Sequence, residues 1–253
     1  MKTAPIQPAR ITFGDQGPWS PEYGDRYHAP YGAFEQARRV FLAGNDLPAR
    51  WRDRRRFTVL ETGFGLGNNF LATWQAWRED PQRPSRLVFV SIEKHPLTAS
   101  DLQRAHRDSP APDLAAQLQA AWPPASPDLH TLDFDGGQVR LLLALGDVAD
   151  WLPELVAEVD AFFLDGFAPT LNPAMWGPRL YPALSRLAAS EATAATWSVA
   201  REVRDGLASA GFDVERTEGF GGKRLTLRAR FRGPGRRLPA PAGRRHRPDA
   251  RDA

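Results

Sequence analysis

Residues 61–67 read Glu61-Thr62-Gly63-Phe64-Gly65-Leu66-Gly67, a turn with glycine at every second position. The preceding run, Phe57-Thr58-Val59-Leu60, is short and rich in residues that favour a buried strand. From Leu66 to Trp77, apolar side chains recur at the spacing of an amphipathic helix. Because glycine has no side chain, the backbone of such a turn can approach a ligand closely. The strand, turn and helix together predict a ligand-binding turn near the start of an α/β domain.

The rest of the chain alternates apolar strands with amphipathic helices. Strands are predicted at residues 57–60, 87–92, 139–145, 161–164, 194–197, 212–215 and 224–231. Helices are predicted at residues 31–42, 66–77, 97–107, 113–122, 148–156, 173–189 and 201–210. Apolar strands separated by helices indicate a parallel sheet covered on both faces, and the last two strands have no helix between them. The predicted fold is therefore α/β: a Rossmann-like sandwich with a mostly parallel seven-stranded sheet and an antiparallel last hairpin.

Three regions follow from this pattern. Residues 1–56 are predicted to form an irregular N-terminal arm and one helix, both packed on the domain. Residues 57–231 form the domain itself. Residues 232–253 are rich in Arg and Pro, without apolar periodicity, and are predicted to be a disordered tail.

Composition excludes several classes of protein. The chain has no cysteine, which rules out disulfides, thiolate metal sites and a cysteine nucleophile. Its histidines are scattered with no i, i+4 pair, so no metal is expected. No window approaches roughly 18 consecutive apolar residues, and the N-terminus lacks the apolar core of a secretory signal. These features predict a cytoplasmic protein with no membrane partner.

The basic residues are almost all arginine, since Lys2, Lys94 and Lys223 are the only lysines in a chain of net charge +3. Arginine grips phosphate with two parallel hydrogen bonds, which favours contact with nucleic acid. An arginine bias that reflects genome composition explains the same observation. Charge alone leaves both readings open.

The glycine register distinguishes between nucleotide cofactors. A dinucleotide fingerprint, Gly-x-Gly-x-x-Gly, would need a third glycine at Asn68 or Phe70. The pattern present is Glu-x-Gly-x-Gly-x-Gly, which is typical of S-adenosylmethionine binders, where an acid orients the amino-acid part of the cofactor. The sequence therefore predicts S-adenosylmethionine, with Glu61 as that acid.

Two further acids lie where this cofactor would need them. Glu93 directly follows the second predicted strand, where a carboxylate can accept hydrogen bonds from both ribose hydroxyls. Asp147, in a loop before a helix, is placed for the adenine amino group. Each has a structural alternative: Glu93 could pair with Lys94, and Asp147 could cap the helix that begins at Val148.

A fourth acid, Asp165, follows the fourth predicted strand in Asp165-Gly166-Phe167-Ala168-Pro169. A carboxylate at this point can orient an amine and accept its proton, while an adjacent aromatic ring can stabilise positive charge. This combination predicts methyl transfer to an amine. The alternative is a strand-to-loop turn in which Asp165 only caps the turn.

Several stretches together resemble the methyltransferase domain of the bifunctional MnmC tRNA-modification proteins, from Ile6 to about Phe231. They are Arg39-Val40-Phe41-Leu42-Ala43-Gly44-Asn45, Glu61 to Phe70, Ile92-Glu93-Lys94-His95-Pro96-Leu97, Asp160 to Pro169, Asn172-Pro173-x-Met175-Trp176 and Gly219-Phe220-Gly221-Gly222-Lys223-Arg224. The resemblance implies methylation of the exocyclic amine of 5-aminomethyl-2-thiouridine at the tRNA wobble position.

The resemblance also implies roles for individual residues. Asp165 would be the catalytic carboxylate. The cofactor pocket would be formed by Tyr27, Glu61, Gly63, Gly65, Gly67, Asn68, Glu93, Asp147 and Asp165. The substrate side, facing the tRNA anticodon loop, would be formed by Phe167, Pro169, Lys223 and Arg224.

The chain departs from the family pattern in two places. The turn after the fifth predicted strand reads Trp197-Ser198-Val199-Ala200 rather than Thr-Ser-Ala-Gly, and Lys223 to Leu227 replaces Lys-Arg-Glu-Met-Leu. Many relatives continue into an FAD-dependent oxidase domain, but no second glycine fingerprint occurs here. We therefore expect no FAD on this chain, the methylation step alone, and a possible separate oxidase that supplies the amine. The alternatives are a methyltransferase for a small amine and a catalytically inactive nucleotide- or RNA-binding module.

Overall fold

The computed structural model describes residues 5–15, 17–29, 32–219 and 221–235. The strands are β1 (Thr12–Gly14), β2 (Gly17–Ser20), β3 (Asp25–Arg26), β4 (Arg56–Glu61), β5 (Arg86–Glu93), β6 (Leu129–Phe134), β7 (Val139–Leu145), β8 (Val159–Phe163), β9 (Ala188–Thr196), β10 (Phe212–Glu218) and β11 (Leu225–Phe231). The α-helices are α1 (Ala33–Gln36), α2 (Asn68–Glu79), α3 (Ala99–Ala105), α4 (Pro112–Ala120), α5 (Val148–Glu154), α6 (Leu180–Leu187) and α7 (Arg201–Ser209). A π-helical segment (Ala37–Leu42) continues α1, and short 3₁₀ turns occur at Ala43–Asn45, Ala49–Trp51 and Asp135–Gly137.

The main sheet has the strand order β10-β11-β9-β8-β4-β5-β7-β6. The pairings that join β9, β8, β4, β5 and β7 are parallel, whereas β10–β11, β11–β9 and β7–β6 are antiparallel. Central strands such as β4 and β8 are buried along almost their whole length, as expected where helices cover both faces. The predicted α/β sandwich with a mostly parallel sheet and an antiparallel last hairpin is confirmed.

The sheet contains eight strands among the described residues, so the prediction of seven was wrong. The missed strand is β6, an edge strand in which buried Leu132 and Phe134 alternate with polar residues. It pairs antiparallel with β7, and Arg140 bonds Asp133 across the pair at 2.7 Å. A short edge strand with one wet face has a weaker apolar pattern than a central strand, which is why it was missed.

Two predicted helices differ from the structure. The helix predicted at 173–189 begins only at Leu180, and Ala188 already belongs to β9. Two prolines, Pro173 and Pro178, lie in the non-helical part, where their missing N–H groups interrupt helical bonding. The helix predicted at 31–42 is helical from Ala33 onward but changes to π-helical winding at Ala37.

The core lies on both faces of the main sheet. On one face, Trp74 and Phe70 of α2 pack with Phe89 and Phe163 of the sheet, all fully buried. On the other face, Leu184 of α6 belongs to a second cluster that includes sheet residues. Each fully buried side chain of this size contributes roughly 1.5–3 kcal/mol, so the two clusters fix the strand ends on which the candidate site depends.

The N-terminal arm was predicted to be irregular, but β1, β2 and β3 form a small antiparallel sheet. The arm does pack on the domain: Ala9 N–H donates to the Pro96 carbonyl at 3.0 Å, and Ala168 N–H donates to Asp25 Oδ2 at 3.3 Å. The arm therefore brings its side chains against the loop that follows β8.

At the other end, the chain remains structured just past β11. Arg232 N–H bonds the Gly211 carbonyl at 2.9 Å, and its side chain bonds Asp213 at 2.7 Å. The disordered tail was predicted for residues 232–253, of which 236–253 lie outside the described residues. Within the described ranges, no helix is long and apolar enough to cross a membrane.

Candidate active site

A cavity of about 420 Å³ lies at the carboxyl ends of β4, β5, β7 and β8. Ligands bind at this edge in open α/β sheets, where the direction of the crossovers reverses. The predicted residues that line the cavity are Tyr27, Gly63, Gly65, Asn68, Glu93, Asp147, Asp165, Phe167 and Lys223. The predicted residues that lie outside this lining are Glu61, Gly67, Pro169 and Arg224. One cavity therefore brings together most of the cofactor and substrate residues expected from the sequence.

The glycine turn has a backbone that side chains would disturb. Gly65 and Gly67 have φ values of 52° and 77°, in the left-handed region that favours glycine, and Gly67 is the residue from which α2 begins. A Cβ at Gly63 would lie 3.1 Å from the Asp165 carbonyl oxygen. Gly63 therefore allows the turn to lie directly against the loop after β8, which carries Asp165.

Glu93 holds the turn through its carboxylate. Its Oε2 accepts a hydrogen bond from Gly65 N–H at 2.8 Å, and its Oε1 accepts one from His95 N–H at 2.7 Å. Burial raises the pKa of Glu93, while the two backbone bonds act in the opposite direction. Glu93 lines the cavity, so its carboxylate can also accept hydrogen bonds from a ligand there.

Asp147 caps the helix that begins at Val148, which was the structural alternative predicted for it. Its Oδ1 accepts a hydrogen bond from Ala149 N–H at 2.9 Å at the start of α5. Its Oδ2 lies 3.1 Å from Lys94 Nζ. Lys94 therefore pairs with Asp147 and not with Glu93, which leaves the Glu93 carboxylate without that ion pair.

Asp165 is held by three donors. Its Oδ1 accepts hydrogen bonds from Gly166 N–H at 2.8 Å and from Trp197 Nε1 at 3.2 Å, and its Oδ2 accepts one from Asn69 Nδ2 at 2.7 Å. Burial raises the pKa of Asp165 to about 6, and the three donors act in the opposite direction. At neutral pH this carboxylate is mostly ionised, but it is more basic than an exposed aspartate.

A hydrogen-bonded chain connects Asp165 with the buried Glu61. Asn69 Nδ2 donates to Glu61 Oε1 at 2.9 Å as well as to Asp165, so both of its amide protons are used. Ser91 Oγ donates to Glu61 Oε2 at 2.6 Å. Burial raises the pKa of Glu61 to about 8. Glu61 is fully buried and lies outside the cavity lining, and Asn69 connects it with Asp165, so the structure does not show the direct cofactor contact expected of Glu61.

Aromatic side chains form the opposite side of the cavity. Phe167 stacks on Tyr23 with ring centroids 4.5 Å apart, and meets the edge of Tyr27 at 5.2 Å. Burial raises the pKa of Tyr23 to about 12 and raises that of Tyr27 further, with nearby Glu22 and Glu93 acting in the same direction. Both tyrosines therefore stay neutral at physiological pH, and both line the cavity.

Trp197 and Lys223 lie together at this side. The Lys223 ammonium is 3.3 Å from the centroid of the Trp197 ring, a cation–π contact. Sequence reasoning had placed Lys223 here but had missed Trp197, Tyr23 and Asn69. The only available indication for Trp197 was its position at the end of a predicted strand, where this fold places functional groups.

The residues present fit S-adenosylmethionine. The volume is in the range of small-molecule sites, which is roughly 300–1,000 Å³. Gly63 and Gly65 leave room for a ligand at the turn, and the Glu93 carboxylate can take two hydroxyl donors. Among the described residues, no group of His, Asp and Glu side chains is arranged to hold a metal ion.

Residues 109–232 match the family model described as S-adenosyl-L-methionine-dependent methyltransferase. The matched part of the chain, just under half of its length, belongs to the S-adenosyl-L-methionine-dependent methyltransferases. This methyltransferase therefore uses the cofactor that the glycine register predicted.

Curated relatives confirm the resemblance drawn from the sequence. The chain is 63% identical over 244 residues to the tRNA 5-methylaminomethyl-2-thiouridine biosynthesis bifunctional protein MnmC of Methylibium petroleiphilum, and 56% identical over 246 residues to MnmC of an Azoarcus species. These matches cover 96% of this methyltransferase but only 37% and 38% of the relatives. The chain thus spans little more than a third of their length.

A solved structure has the same fold. MnmC2 from Aquifex aeolicus superposes with a TM-score of 0.71 over 92% of this chain and 73% of its own, at 22% identity. At this identity the likeness supports the architecture only.

Proposed function

We propose that this methyltransferase methylates the exocyclic amine of 5-aminomethyl-2-thiouridine at the wobble position of tRNA. The observation that carries the proposal is the Asp165 carboxylate, which lines the cavity and is fixed by three donors. The name of the relatives, tRNA 5-methylaminomethyl-2-thiouridine biosynthesis bifunctional protein, supports the choice of acceptor.

The three donors leave one acceptor position of the Asp165 carboxylate for a proton. A carboxylate has about four acceptor positions, two on each oxygen. The Oδ1 positions are used by Gly166 and Trp197, whereas Oδ2 has one donor, Asn69. The remaining Oδ2 position is the one that an acceptor amine would occupy.

The chemistry of amine methylation suits this carboxylate. S-adenosylmethionine, when bound, supplies an electrophilic methyl group. The amine attacks only with a free lone pair, so an ammonium must first lose a proton. Asp165, with its pKa raised to about 6, is mostly ionised at neutral pH, so its carboxylate is available to accept that proton during methyl transfer.

The cofactor would lie against Gly63, Gly65, Asn68, Glu93 and Asp147. In this arrangement the ribose hydroxyls would donate to the Glu93 carboxylate, while Asp147 at the start of α5 would accept from the adenine amine. Tyr27 would close the pocket from the N-terminal arm, since its ring approaches to 3.5 Å of the position that a Gly65 Cβ would take.

The RNA side would use the aromatic group of Tyr23 and Phe167, because unstacked loop bases are recognised by stacking on aromatic rings. Lys223 and the exposed Arg224 would contact anticodon-loop phosphates. Pro169 would shape the loop without touching the base. A tRNA substrate would place the methyltransferase in the cytoplasm, and a separate FAD-dependent oxidase would supply the amine.

Mass spectrometry of wobble nucleosides tests the proposal. tRNA that carries 5-aminomethyl-2-thiouridine is incubated with the purified chain and isotopically labelled S-adenosylmethionine. The expected product is 5-methylaminomethyl-2-thiouridine with one labelled methyl group at the wobble position. Unmodified wobble nucleosides, together with turnover of a small amine, would favour the small-amine alternative. No turnover despite cofactor binding would favour an inactive module.

A further inference from the structure

Trp197 contacts charged groups with two different parts of its indole. Its Nε1–H edge donates to Asp165 Oδ1 at 3.2 Å. Its face carries the Lys223 ammonium at 3.3 Å from the ring centroid. A cation that lies on this face is therefore held next to the carboxylate that the proposed function uses as proton acceptor.

We propose that the face of Trp197 is the site that receives the protonated aminomethyl group of the acceptor, and that Lys223 occupies it until the substrate displaces it. This inference rests on the proposed function and adds a specificity determinant to it. The acceptor would arrive as an ammonium on the ring face. It would then give one proton to Asp165 Oδ2, leaving a neutral amine with a free lone pair and a protonated carboxyl group.

The chemistry of the ring face supports a cation site. The indole face is the strongest cation–π acceptor among the side chains, and its attraction increases when the cation loses water. Trp197 lines the cavity and is partly buried, so a cation there is partly shielded from solvent. A neutral hydroxymethyl group would gain little from this face, which makes the face selective for charge.

The position of Lys223 in the chain allows its ammonium to move off the Trp197 ring. It follows Gly221 and Gly222, both with positive φ, in the turn between β10 and β11. Within the described ranges, no carboxylate lies at ion-pair distance from its ammonium, although Asp25 is close enough to influence it. Partial burial lowers the pKa of Lys223, and the charge of Asp25 opposes this. The ring is thus its main partner in the described part of the chain.

The displacement has a consequence that a purely structural role lacks. If Lys223 and the acceptor compete for one site, removal of the Lys223 charge should strengthen binding of an aminomethyl nucleoside. A lysine with only a structural or phosphate-binding role would weaken binding of the nucleoside when removed, or leave it unchanged. The sign of this effect separates the readings.

The experiment uses free 5-aminomethyluridine as an inhibitor of tRNA methylation by the full chain, with 5-hydroxymethyluridine as the neutral comparison. Neither nucleoside has a phosphate. Lys223→Met is expected to lower the inhibition constant of the aminomethyl nucleoside several-fold. Trp197→Leu is expected to raise it roughly tenfold, in keeping with a partly desolvated cation–π contact. The constant for the hydroxymethyl nucleoside should not change in either variant.

Two further variants act as controls. Arg216→Met removes an exposed cation of the same hairpin that lies outside the cavity lining, and should leave both inhibition constants unchanged. Trp197→Phe keeps a ring but loses the N–H bond to Asp165, so it should retain selectivity for the aminomethyl nucleoside while shifting the pH profile of methylation. If Trp197→Leu fails to fold, Lys223→Met and Trp197→Phe still decide the question.

The outcomes distinguish this inference from the proposed function. Lack of tRNA methylation by the unaltered chain would overturn the proposed function. With methylation present, the inference is overturned if the aminomethyl nucleoside does not inhibit, if both nucleosides respond equally to Trp197→Leu, or if Lys223→Met weakens inhibition by the aminomethyl nucleoside.

Discussion

The proposed cofactor side and the proposed acceptor side of the cavity are constructed differently. The cofactor side consists of the turn at residues 61–67 with Glu93 and Asp147, all placed at the ends of neighbouring parallel strands. The acceptor side consists of Tyr23, Phe167, Trp197 and Lys223, which come from the N-terminal arm, the loop after β8, the end of β9 and the last hairpin. The cofactor side depends on backbone geometry, whereas the acceptor side depends on side chains that meet only after the chain has folded.

Asp165 lies at the boundary between the two sides. Its carbonyl oxygen accepts from Thr62 Oγ1 on the cofactor side at 2.8 Å, and its carboxylate accepts from Trp197 on the acceptor side. This difference in construction predicts that variants of each side change different constants. Cofactor-side variants should change the dissociation constant of S-adenosylmethionine, and acceptor-side variants should change the methylation rate or acceptor binding.

The largest expected effect is that of Asp165→Ala. Loss of a positioned proton acceptor lowers kcat by roughly 10²–10⁴-fold. The dissociation constant of S-adenosylmethionine should change by only a few-fold, because Glu93 and the glycine turn remain. Single-turnover methylation and isothermal titration measure the two quantities. Unchanged kcat would refute the proposed role of Asp165.

Glu93→Ala should show the opposite pattern. Hydrogen bonds to a charged group contribute about 1.5–3 kcal/mol each, so loss of ribose contacts should weaken cofactor binding by roughly 10–100-fold. At saturating cofactor, kcat should stay within a few-fold of the unaltered chain. Because Glu93 also holds Gly65 and His95, thermal unfolding of the cofactor-free variant serves as the control. An unchanged dissociation constant would contradict the assignment.

Asn69→Ala tests the connection between the two carboxylates. The variant removes a donor from ionised Asp165, so the pKa of Asp165 should rise and the acid limb of the methylation rate should move to higher pH. Cofactor binding should change little. A pH–rate profile of the variant, compared with that of the unaltered chain, measures the shift. A limb that stays in place would show that Asn69 does not position Asp165.

Glu61→Gln should have the smallest effect on activity, within about threefold, because a buried carboxyl with a pKa of about 8 is already mostly neutral at pH 7. The raised pKa of Glu61 also makes the free energy of unfolding depend on pH in a defined direction. The folded state keeps a proton that the unfolded state loses above about pH 4.5, so stability falls by about 1.4 kcal/mol per pH unit up to about pH 8. Urea unfolding from about pH 5 to about pH 8 measures this change. The free energy of unfolding should decline less steeply with pH in the variant than in the unaltered chain. Equal slopes would contradict the raised pKa of Glu61.

The same contrast explains what the sequence could predict. The turn, Glu93 and Asp147 were found because glycine spacing and strand ends are local features. Asn69 was missed, because an asparagine in the first turn of a helix has no distinctive pattern. Trp197 and Lys223 meet because β9 and β11 pair antiparallel, with Thr196 opposite Leu227, and local patterns do not encode that register. β6 and the small N-terminal sheet were missed because short strands with exposed faces carry few apolar residues.

The pH dependence of methylation at saturating cofactor and tRNA tests the central claim most directly, because it reports the ionisation of Asp165 where the two sides meet. We predict that the rate of the unaltered chain rises about tenfold per pH unit below a pKa of about 6 and then levels off, whereas Asp165→Ala retains a low rate without this limb. If the variant keeps the same acid limb, or if the unaltered chain lacks it, Asp165 is not the proton acceptor.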